Sequence, residues 1–571
     1  MEKTGGKLNI DAIFPNATSL SAPDFSVLNE DESLIAKTID MFVQDDVLPN
    51  NAKLEAHDYE TARDLFQEAG DLGLLGVEVP ESYGGLEMGK KASGLVAEKM
   101  GYAASFSVAF NIHSGVGTLP YVYFGTEDQK HRYLPKLVTG EWVGAYALTE
   151  PNAGSDALAA RTTAKLDEAT GEWVINGEKQ WITNAHIADV YVVFAKTDMG
   201  ITAFIVERKM PGVSVGAEEK KLGIKGSSTA TLIMEDVYVP PENVLGTVGK
   251  GHHIALNILN LARLKLAFAN VGASKQALSV AVKYAKDREQ FGKSLVQFPM
   301  IQEKLANIAV AIYGAESAAY YTASVLDGLG ESGKADDVIH SLANYAMDCS
   351  VNKVFASETL DYAVDEALQI HGGYGYMQDY VAERLYRDAR INRIFEGTNE
   401  INRLTIAKAF LKHMNDETEG EALVSSEAST QSDIAADRNW QFIFAAEKLL
   451  QITMKSLPIK NRKDMDEKQE FMQRLADVVK DIYVMKAAVL ASSHKTAGAL
   501  KQRMTDVLCE EGYQRIAQAA TTVVAAAYAD AAEKQAALDD IRSLAVPLYS
   551  DLFSAKRQIA ETIISQAGYE K

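Results

Sequence analysis

The stretch Arg390-Ile-Asn-Arg-Ile-Phe-Glu396-Gly-Thr-Asn-Glu400 sets a single carboxylate between apolar and flexible residues. Glu396 follows Phe395 and precedes Gly397, and apolar residues at helical spacing begin at Ile401. The pattern predicts a tight turn just ahead of a helix with a capping-type residue at its start. A carboxylate in apolar surroundings has a raised pKa, which suits a general base. An isolated glutamate of this kind is more often a solvated loop acid, so a role as general base needs support from other parts of the sequence.

Four further segments with polar and glycine residues at fixed spacing precede this stretch. They are Tyr146-Ala-Leu-Thr-Glu-Pro-Asn-Ala-Gly154-Ser155-Asp156, Gln180-Trp181-Ile182-Thr183-Asn184, Asp287-Arg288-Glu289-Gln290-Phe291-Gly292 and Gln369-Ile-His-Gly372-Gly373-Tyr-Gly375-Tyr. A lone Gly-Gly-x-Gly is weak evidence, whereas five motifs in a fixed order are specific. In this order and spacing the five segments closely resemble the acyl-CoA dehydrogenase family over roughly residues 30 to 412.

The resemblance implies an α+β, mainly α architecture, the acyl-CoA dehydrogenase fold. In this fold an N-terminal helical domain, a middle antiparallel β domain and a C-terminal helical bundle follow one another. The pattern of apolar residues along the sequence agrees with this order of domains. Helical periodicity covers residues 30–145, short β-branched and aromatic runs cover 146–243, and helical periodicity returns over 244–413.

The two ends of the chain lie outside that three-part layout. Residues 1–29 are interpreted as an irregular N-terminal arm, and residues 414–433 as a polar linker without core residues. Residues 434–571 form an Ala-rich helical region, which predicts an extra C-terminal helical domain. Within the family, this addition is similar to that of the very-long-chain acyl-CoA dehydrogenases.

The reaction implied by the resemblance is the FAD-dependent oxidation of acyl-CoA to trans-2-enoyl-CoA in fatty-acid β-oxidation. The protein would then be a flavoprotein and an oxidoreductase acting on CH–CH bonds. Glu396 is implied to remove the α-proton while the β-hydrogen leaves as hydride to flavin N5, because no side chain can accept a hydride. The backbone N–H of Glu396 and a flavin ribityl hydroxyl would hold the thioester carbonyl.

Some members of the family place the base on another helix, directly before the arginine that matches Arg263. In this chain that residue is Ala262, which cannot take a proton, so Glu396 is the only matching candidate. Arg263, together with Asn260, Gly397 and Ser155, resembles the set that binds the acyl-CoA substrate. The alternative for Arg263 is a surface arginine on a helix.

Residues that resemble FAD-binding positions occur in all five segments. They are Tyr146, Leu148 and Thr149 at the pyrimidine edge, Ser155 between FAD and CoA, Trp181 and Thr183 beside the ring, and Thr398 and Glu400 after the base. A second set resembles residues that reach the FAD of a neighbouring subunit: Arg288, Phe291, Gln369, Gly372 and Gly373. Trp181 offers a flat apolar face that shields the reduced ring; the alternative is that it belongs to the β-domain core.

Four further positions bear on flavin contacts and on the acyl pocket. Pro299 stands where the medium-chain pattern has a glutamine, so no flavin contact is expected there. His371 is interpreted as a packed histidine. Val108 and Ile112 occupy the places where polar side chains close the acyl pocket of the medium-chain relative. Their apolar character predicts a deeper slot for a long acyl chain, although both could equally be ordinary helix-core residues.

Composition limits the remaining classes of function. The chain has 571 residues, which exceeds one typical core and predicts several domains. A formal net charge of −21 argues against nonspecific binding to nucleic acid or to an anionic membrane surface. Cys349 and Cys509 lie far apart and fit a reducing compartment. Neither has metal-ligand spacing, and no leader or transmembrane run is evident, so we expect a soluble cytoplasmic protein without a structural metal.

Several alternatives and partners remain open at this point. An acyl-CoA oxidase would use the same base and flavin but pass electrons to oxygen, and a related assembly factor uses the same architecture as a scaffold. The family resemblance implies an acyl-CoA substrate, an electron-transferring flavoprotein as acceptor and a homodimer. The cluster Lys455, Lys460, Arg462 and Lys463 is the one hint of a membrane-docking role, although a charge run is more often a solvated face.

Overall fold

The N-terminal part of the chain is a compact group of helices. The computed structural model describes residues 28–329, 344–417, 437–494, 497–546 and 551–569, so most of the predicted N-terminal arm lies outside the described residues. The helices are α1 (Glu30–Phe42), α2 (Asn51–Glu55), α3 (Tyr59–Asp71), α4 (Lys90–Met100), α5 (Phe106–Ile112), α6 (Leu119–Phe124) and α7 (Glu127–Val138). The first begins at Asn29, whose side chain accepts the Glu32 N–H at 2.8 Å while Glu32 accepts the Asn29 N–H at 2.9 Å. This reciprocal cap explains why helix starts directly after the arm.

An eight-stranded sheet forms the middle of the chain. Its strands are β1 (Gly144–Ala147), β2 (Thr163–Leu166), β3 (Trp173–Thr183), β4 (Val190–Thr197), β5 (Gly200–Glu207), β6 (Val213–Val215), β7 (Thr229–Val239) and β8 (Val244–Leu245). Their order is β6-β7-β3-β2-β4-β5-β8, with β1 beside β4. Most neighbours are antiparallel, as predicted, but β4 is parallel to both β1 and β2. Long connections separate these strands in sequence, and such crossovers bring strands together in the same direction.

The second helical part begins after the sheet. It contains α8 (Gly251–Asp287), α9 (Pro299–Leu329), α10 (Ala346–His371), α11 (Val381–Ala389) and α12 (Asn399–Glu417), with the short hairpin β9 (Glu289–Gln290) and β10 (Lys293–Ser294) between the first two. By length and composition α8 could cross a membrane, but 78% of its most apolar window is buried within the protein. That burial is typical of a core helix.

The chain ends in a further group of helices. They are α13 (Arg438–Ser456), α14 (Arg462–Glu467), α15 (Gln469–Ser492), α16 (Ala499–Ala527), α17 (Ala531–Ser543) and α18 (Leu552–Ser565). The predicted start of the linker at residue 414 was wrong, because α12 continues to Glu417 and Met414 is buried against the core. The rest of the predicted linker lies outside the described residues.

The extra helices share one apolar core with the rest of the helical bundle. A single cluster of buried side chains runs from α8, α9 and α10 into α13, α15, α16 and α18. Polar contacts cross the same boundary, since Tyr313 on α9 donates to the Ala488 carbonyl at 3.0 Å and Tyr569 donates to Glu316 at 2.8 Å. The sheet also has a core of its own around Ile175, Tyr191 and Phe204, all of them fully buried.

Candidate active site

Glu396 lies on a tight turn between a short 3-10 helix (Arg390–Arg393) and the start of α12. Its φ of 57° is in the left-handed region, and the following Gly397 has a φ of 83°. Thr398 ends the turn, because its hydroxyl accepts the Ile401 N–H at 3.3 Å. The predicted turn and helix cap are therefore both present. Two consecutive left-handed residues hold the carboxylate in a conformation that an ordinary loop would not adopt.

A long cavity opens beside Glu396. Its volume is about 840 Å³, with open solvent at its mouth included, and Glu396 and Phe395 line one part of it. One wall is α8, from Ala262 to Gln276. At about 1.5 Å per helical residue this wall is ~21 Å long. Val108 and Ile112 of α5 also line the cavity, and Ile112 packs against the main core as well, so their role in a long-chain slot stays a prediction.

The position of Ala262 on this wall bears on the choice of base. Ala262 and Glu396 line the same cavity, one from α8 and the other from the turn before α12. A methyl group occupies the place where some relatives carry their base. Glu396 and Asp388 are the two carboxylates among the described lining residues, and Asp388 accepts the Ile224 N–H.

Burial and two nearby cations act in opposite directions on Glu396. Burial raises the pKa of the Glu396 carboxyl, and the positive charges of Arg263 and Lys353 pull it down without cancelling that rise. A carboxylate whose pKa is raised above the ordinary value is a stronger base than a free one once it is ionised, which suits the removal of a proton. The alternative of a solvated loop acid does not fit this environment.

Arg263 supports the turn that carries Glu396. Its Nε donates to the Glu396 carbonyl oxygen at 3.1 Å, and a terminal nitrogen donates to Asn260 Oδ1 at 2.9 Å. Both side chains are buried, so Arg263 is not the surface arginine that was the alternative. Contact of Asn260, Arg263 or Gly397 with a substrate stays a prediction.

Lys353 is a second buried cation at the turn, and the sequence motifs did not reveal it. Its Nζ donates to the Gly397 carbonyl at 2.8 Å and to Asn399 Oδ1 at 2.7 Å. Burial lowers its pKa to about 7, although the negative charge of Glu396 partly opposes that shift. A lysine within a helical pattern is usually exposed, so only the packing of α10 against α12 identifies it.

The first predicted flavin set comes together beside β1 and β3. Thr149 accepts the Gln180 N–H at 2.8 Å, which joins the two motifs directly. Tyr146 Oη is buried and has no hydrogen-bond partner among the described residues. Trp181 is 58% exposed at a φ of 59°, so it is not the core residue that was the alternative. Leu148 is buried and Thr183 half-buried in the same region, and Ser155 is exposed on the loop after β1.

The second predicted flavin set forms an exposed patch near the C-terminal end of α8, which Arg288 directly follows. The Arg288 guanidinium lies 5.5 Å from the Tyr374 ring centroid, and Phe291 is 93% exposed at a φ of 55°. Gly372 and Gly373 have no atom within 4 Å of an added Cβ, and Gln369 is exposed nearby on the last turn of α10. A patch with an open glycine backbone, a guanidinium and bare aromatic rings has the character of an interface.

The remaining predicted positions are His371, Pro299 and Glu400. His371 is buried, its Nδ1–H donates to the Ala367 carbonyl at 2.7 Å, and its ring stacks on Tyr284 with centroids 4.1 Å apart, which confirms the packed histidine. Pro299 begins α9. Glu400 is exposed in the first turn of α12, where hydrogen bonds from its backbone N–H and from Thr398 lower the pKa of its carboxyl.

The family follows from comparison of the whole chain with known proteins. The acyl-CoA dehydrogenase N-terminal, middle and C-terminal domains match residues 29–141, 145–237 and 249–411. A further acyl-CoA dehydrogenase C-terminal domain matches residues 457–543. The protein belongs to the acyl-CoA dehydrogenase family.

Individual relatives cover nearly the full chain. A "Probable acyl-CoA dehydrogenase" of Bacillus subtilis (strain 168) is 42% identical over 100% of this chain and 98% of its own length. The very long-chain specific mitochondrial acyl-CoA dehydrogenase of Bos taurus is 33% identical over 91% of this chain and 83% of its own. The crystal structure of an acyl-CoA dehydrogenase complexed with FAD from Bacillus anthracis has a TM-score of 0.91 at 42% identity, covering 97% and 98% of the two chains. These comparisons confirm the predicted fold class and the extra C-terminal domain.

Proposed function

We propose that the protein oxidises the α,β bond of an acyl-CoA to give trans-2-enoyl-CoA, with FAD as its cofactor and Glu396 as the base. The observation that carries the proposal is the position of Glu396. Its carboxylate lines the cavity beside the α8 wall, burial raises the pKa of its carboxyl, and its turn is fixed by hydrogen bonds. A thioester placed there would present its α-carbon to the carboxylate.

The first flavin set has features that fit FAD. Tyr146 Oη is a buried hydroxyl without a partner among the described residues, and the indole of Trp181 on β3 is 58% exposed. A planar polar ring would satisfy the former and cover the latter. Bound FAD would supply the acceptor for the β-hydride, which no side chain can take up.

The chain's own residues then perform the proton transfer. Glu396 accepts the α-proton, and its backbone N–H is available to bind the carbonyl oxygen on which negative charge develops. One well-placed donor of that kind stabilises a transition state by about 3 kcal/mol. Arg263 and Lys353 hold the Glu396 and Gly397 carbonyls, so they keep the donor and the carboxylate in register.

The cavity supports a long acyl chain as substrate. The apolar core of a bilayer is about 30 Å thick and contains two layers of acyl chains, so one extended long acyl chain is ~15 Å long. The α8 wall of the cavity is ~21 Å long, which is enough for such a chain. Val108, Ile112, Leu266 and Val364 line it with apolar side chains. The lining also includes Asn111, Asn270 and Gln276, each with one buried atom that has no partner among the described residues.

Electron acceptor, assembly and location complete the proposal. We propose an electron-transferring flavoprotein as acceptor, in keeping with the family. The exposed patch around Phe291 and Gly372 supports a homodimer in which each subunit reaches the FAD of the other. Cys349 and Cys509 are free and buried, which supports a cytoplasmic location.

Anaerobic titration of the purified yellow protein with acyl-CoAs of graded length tests the proposal. We expect bleaching of the flavin spectrum with long-chain substrates and formation of enoyl-CoA. A colourless protein that cannot be reconstituted with FAD would contradict the proposal. Rapid peroxide formation in air would instead favour an acyl-CoA oxidase, and an intact flavoprotein that no acyl-CoA reduces would favour a scaffold.

A further inference from the structure

We infer that the extra C-terminal domain has a positioning role in catalysis: Asp477 on α15 anchors, through Arg403, Glu358 and Asn399, the turn that carries Glu396. The inference rests on the proposed function of Glu396 as the base. It assigns to Asp477 and Arg403 an effect on turnover although neither lines the cavity next to Glu396.

The network starts at the turn itself. Lys353 bonds the Gly397 carbonyl and Asn399 Oδ1, and Asn399 is buried. The amide nitrogen of Asn399 donates to Ser357 Oγ at 3.1 Å and to Glu358 Oε1 at 3.2 Å. The first residue of α12 is therefore tied to two consecutive residues of α10.

The next step crosses from α10 to the extra domain. Arg403, one turn into α12, contacts both carboxylate oxygens of Glu358 at 2.8 and 3.1 Å. Its Nε donates to Asp477 Oδ1 on α15 at 2.8 Å. The Arg403 side chain is 12% exposed, and paired, two-pronged contacts of this kind are among the stronger ones in proteins.

The charges of the network depend on one another. Burial would lower the pKa of Arg403, but Glu358 and Asp477 outweigh it and raise that pKa. Lys480 on α15 lies 3.5 Å from Asp477 and 3.8 Å from Glu358. Loss of the Asp477 charge would leave Lys480 with Asp481 at 3.6 Å and with Glu358. Arg403 would keep Glu358 alone, and that carboxylate also accepts the Asn399 bond. The start of α12 would then lose part of its support.

A second ion pair between α12 and the extra domain provides the matched control. Lys408 on α12 contacts Asp466 on α14 at 3.0 Å, and both side chains are about half exposed. This pair joins the same two parts of the protein but lies farther along α12, and exposed pairs contribute little to stability. Asp466→Asn and Asp477→Asn are the same chemical change in the same domain.

The test compares the full-length holoenzyme with its Asp477→Asn, Asp477→Glu and Asp466→Asn variants. For Asp477→Asn we expect kcat to fall about 10-fold or more, since a small misplacement of reacting groups is costly, with KM for acyl-CoA within about twofold. Asp477→Glu keeps the charge and should recover most of the rate. Hydrogen exchange of the amides at 396–402 should become faster in Asp477→Asn and stay unchanged in Asp466→Asn.

Three outcomes separate the inference from the proposed function. If Asp477→Asn matches Asp466→Asn in kcat and in exchange at 396–402, the inference is overturned. If Asp477→Glu loses as much rate as Asp477→Asn while both bind FAD normally, charge at this position is not the cause and the inference also fails. If the wild type itself does not oxidise acyl-CoA, the proposed function fails, and the exchange measurement still decides whether Asp477 supports the turn.

Discussion

Arg263 contacts Glu396 through the main chain: its Nε lies 3.1 Å from the Glu396 carbonyl oxygen. The guanidinium thus fixes the strained turn, whose φ at Glu396 is 57°, without occupying the carboxylate. Its charge still acts on the carboxyl and lowers the pKa that burial raises. One buried arginine therefore sets both the position and the basicity of the proposed base.

Replacement of Glu396 by glutamine is the direct test of that base. Glu396→Gln keeps the size of the side chain but removes the basic oxygen. We expect the rate of flavin reduction by acyl-CoA to fall by about 10²–10⁴-fold, the usual contribution of a general base, with FAD content unchanged. Stopped-flow reduction at the wild-type rate would show that another group takes the proton.

The pH dependence of turnover should report the cations around Glu396. Because Glu396 must be ionised and burial raises its pKa, kcat/KM should fall as the pH drops through that raised value. Lys353→Met removes a positive charge that opposes the rise, so the acid limb should move to higher pH. Since burial lowers the pKa of Lys353 to about 7, its positive charge is present below that pH and is lost above it.

A substitution at an exposed lysine controls this pH experiment. Lys463→Met removes the same charge from a side chain that is 80% exposed, and should leave the pH profile of kcat/KM unchanged. An acid limb in Lys353→Met that coincided with that of the wild type would contradict the proposed electrostatic coupling.

Polar residues at Val108 and Ile112 should shorten the preferred substrate. Both line the cavity, and Gln and Glu there would set two further polar groups, one of them charged, against an apolar tail, in addition to the amides of Asn111, Asn270 and Gln276. In the double variant Val108→Gln, Ile112→Glu we expect kcat/KM to fall at least about tenfold for long acyl-CoAs and much less for short ones. An equal loss at every chain length would mean that these two residues do not select the substrate.

Phe291 should couple assembly to flavin binding. Its ring is 93% exposed in the single chain, and the backbone of Gly372, from the same predicted flavin set, is open as well. Phe291→Ser should weaken the homodimer and release FAD together, measured by sedimentation and by the flavin content of each peak. Met199→Ser changes a side chain that is 73% exposed, and it should leave both the dimer and the FAD content unchanged. Loss of FAD from an intact Phe291→Ser dimer would show that flavin binding and assembly are not coupled.

Deletion of residues 434–571 should expose apolar surface. Tyr313 and Gly314 on α9 meet Ala488 and Val484 of α15, and the shared core continues through the boundary. The truncated protein is expected to aggregate or to form higher oligomers in light scattering. A soluble, well-behaved dimer would show that the domain covers no such surface, and a partner-binding or membrane-docking role would then come first.

The sequence predicted the elements that depend on local pattern. The turn at Glu396, a capping-type residue before α12, the strand runs and the packed His371 all follow from neighbouring residues, and the structure confirms them. The end of α12 was placed four residues early, because Met414 packs against a core that lies far away in sequence.

Long-range contacts account for what the sequence could not predict. Lys353 is separated from Gly397 by 44 positions, and the motif around Glu396 contains no sign of it. Arg263 was expected at the substrate, whereas its bond to the turn is visible only in three dimensions. The polar lining by Asn111, Asn270 and Gln276 likewise arises where helices from different parts of the chain meet.

The core shared by α8–α10 and the C-terminal helices has a consequence for how the protein melts. Side chains such as Ile312, Val484 and Ile559 belong to one continuous cluster, so neither part keeps its apolar surface covered when the other opens. In a calorimeter the extra helices should therefore melt together with the dehydrogenase bundle in one cooperative peak. The helices that distinguish this chain from shorter relatives are thermodynamically part of the enzyme rather than an appendage to it.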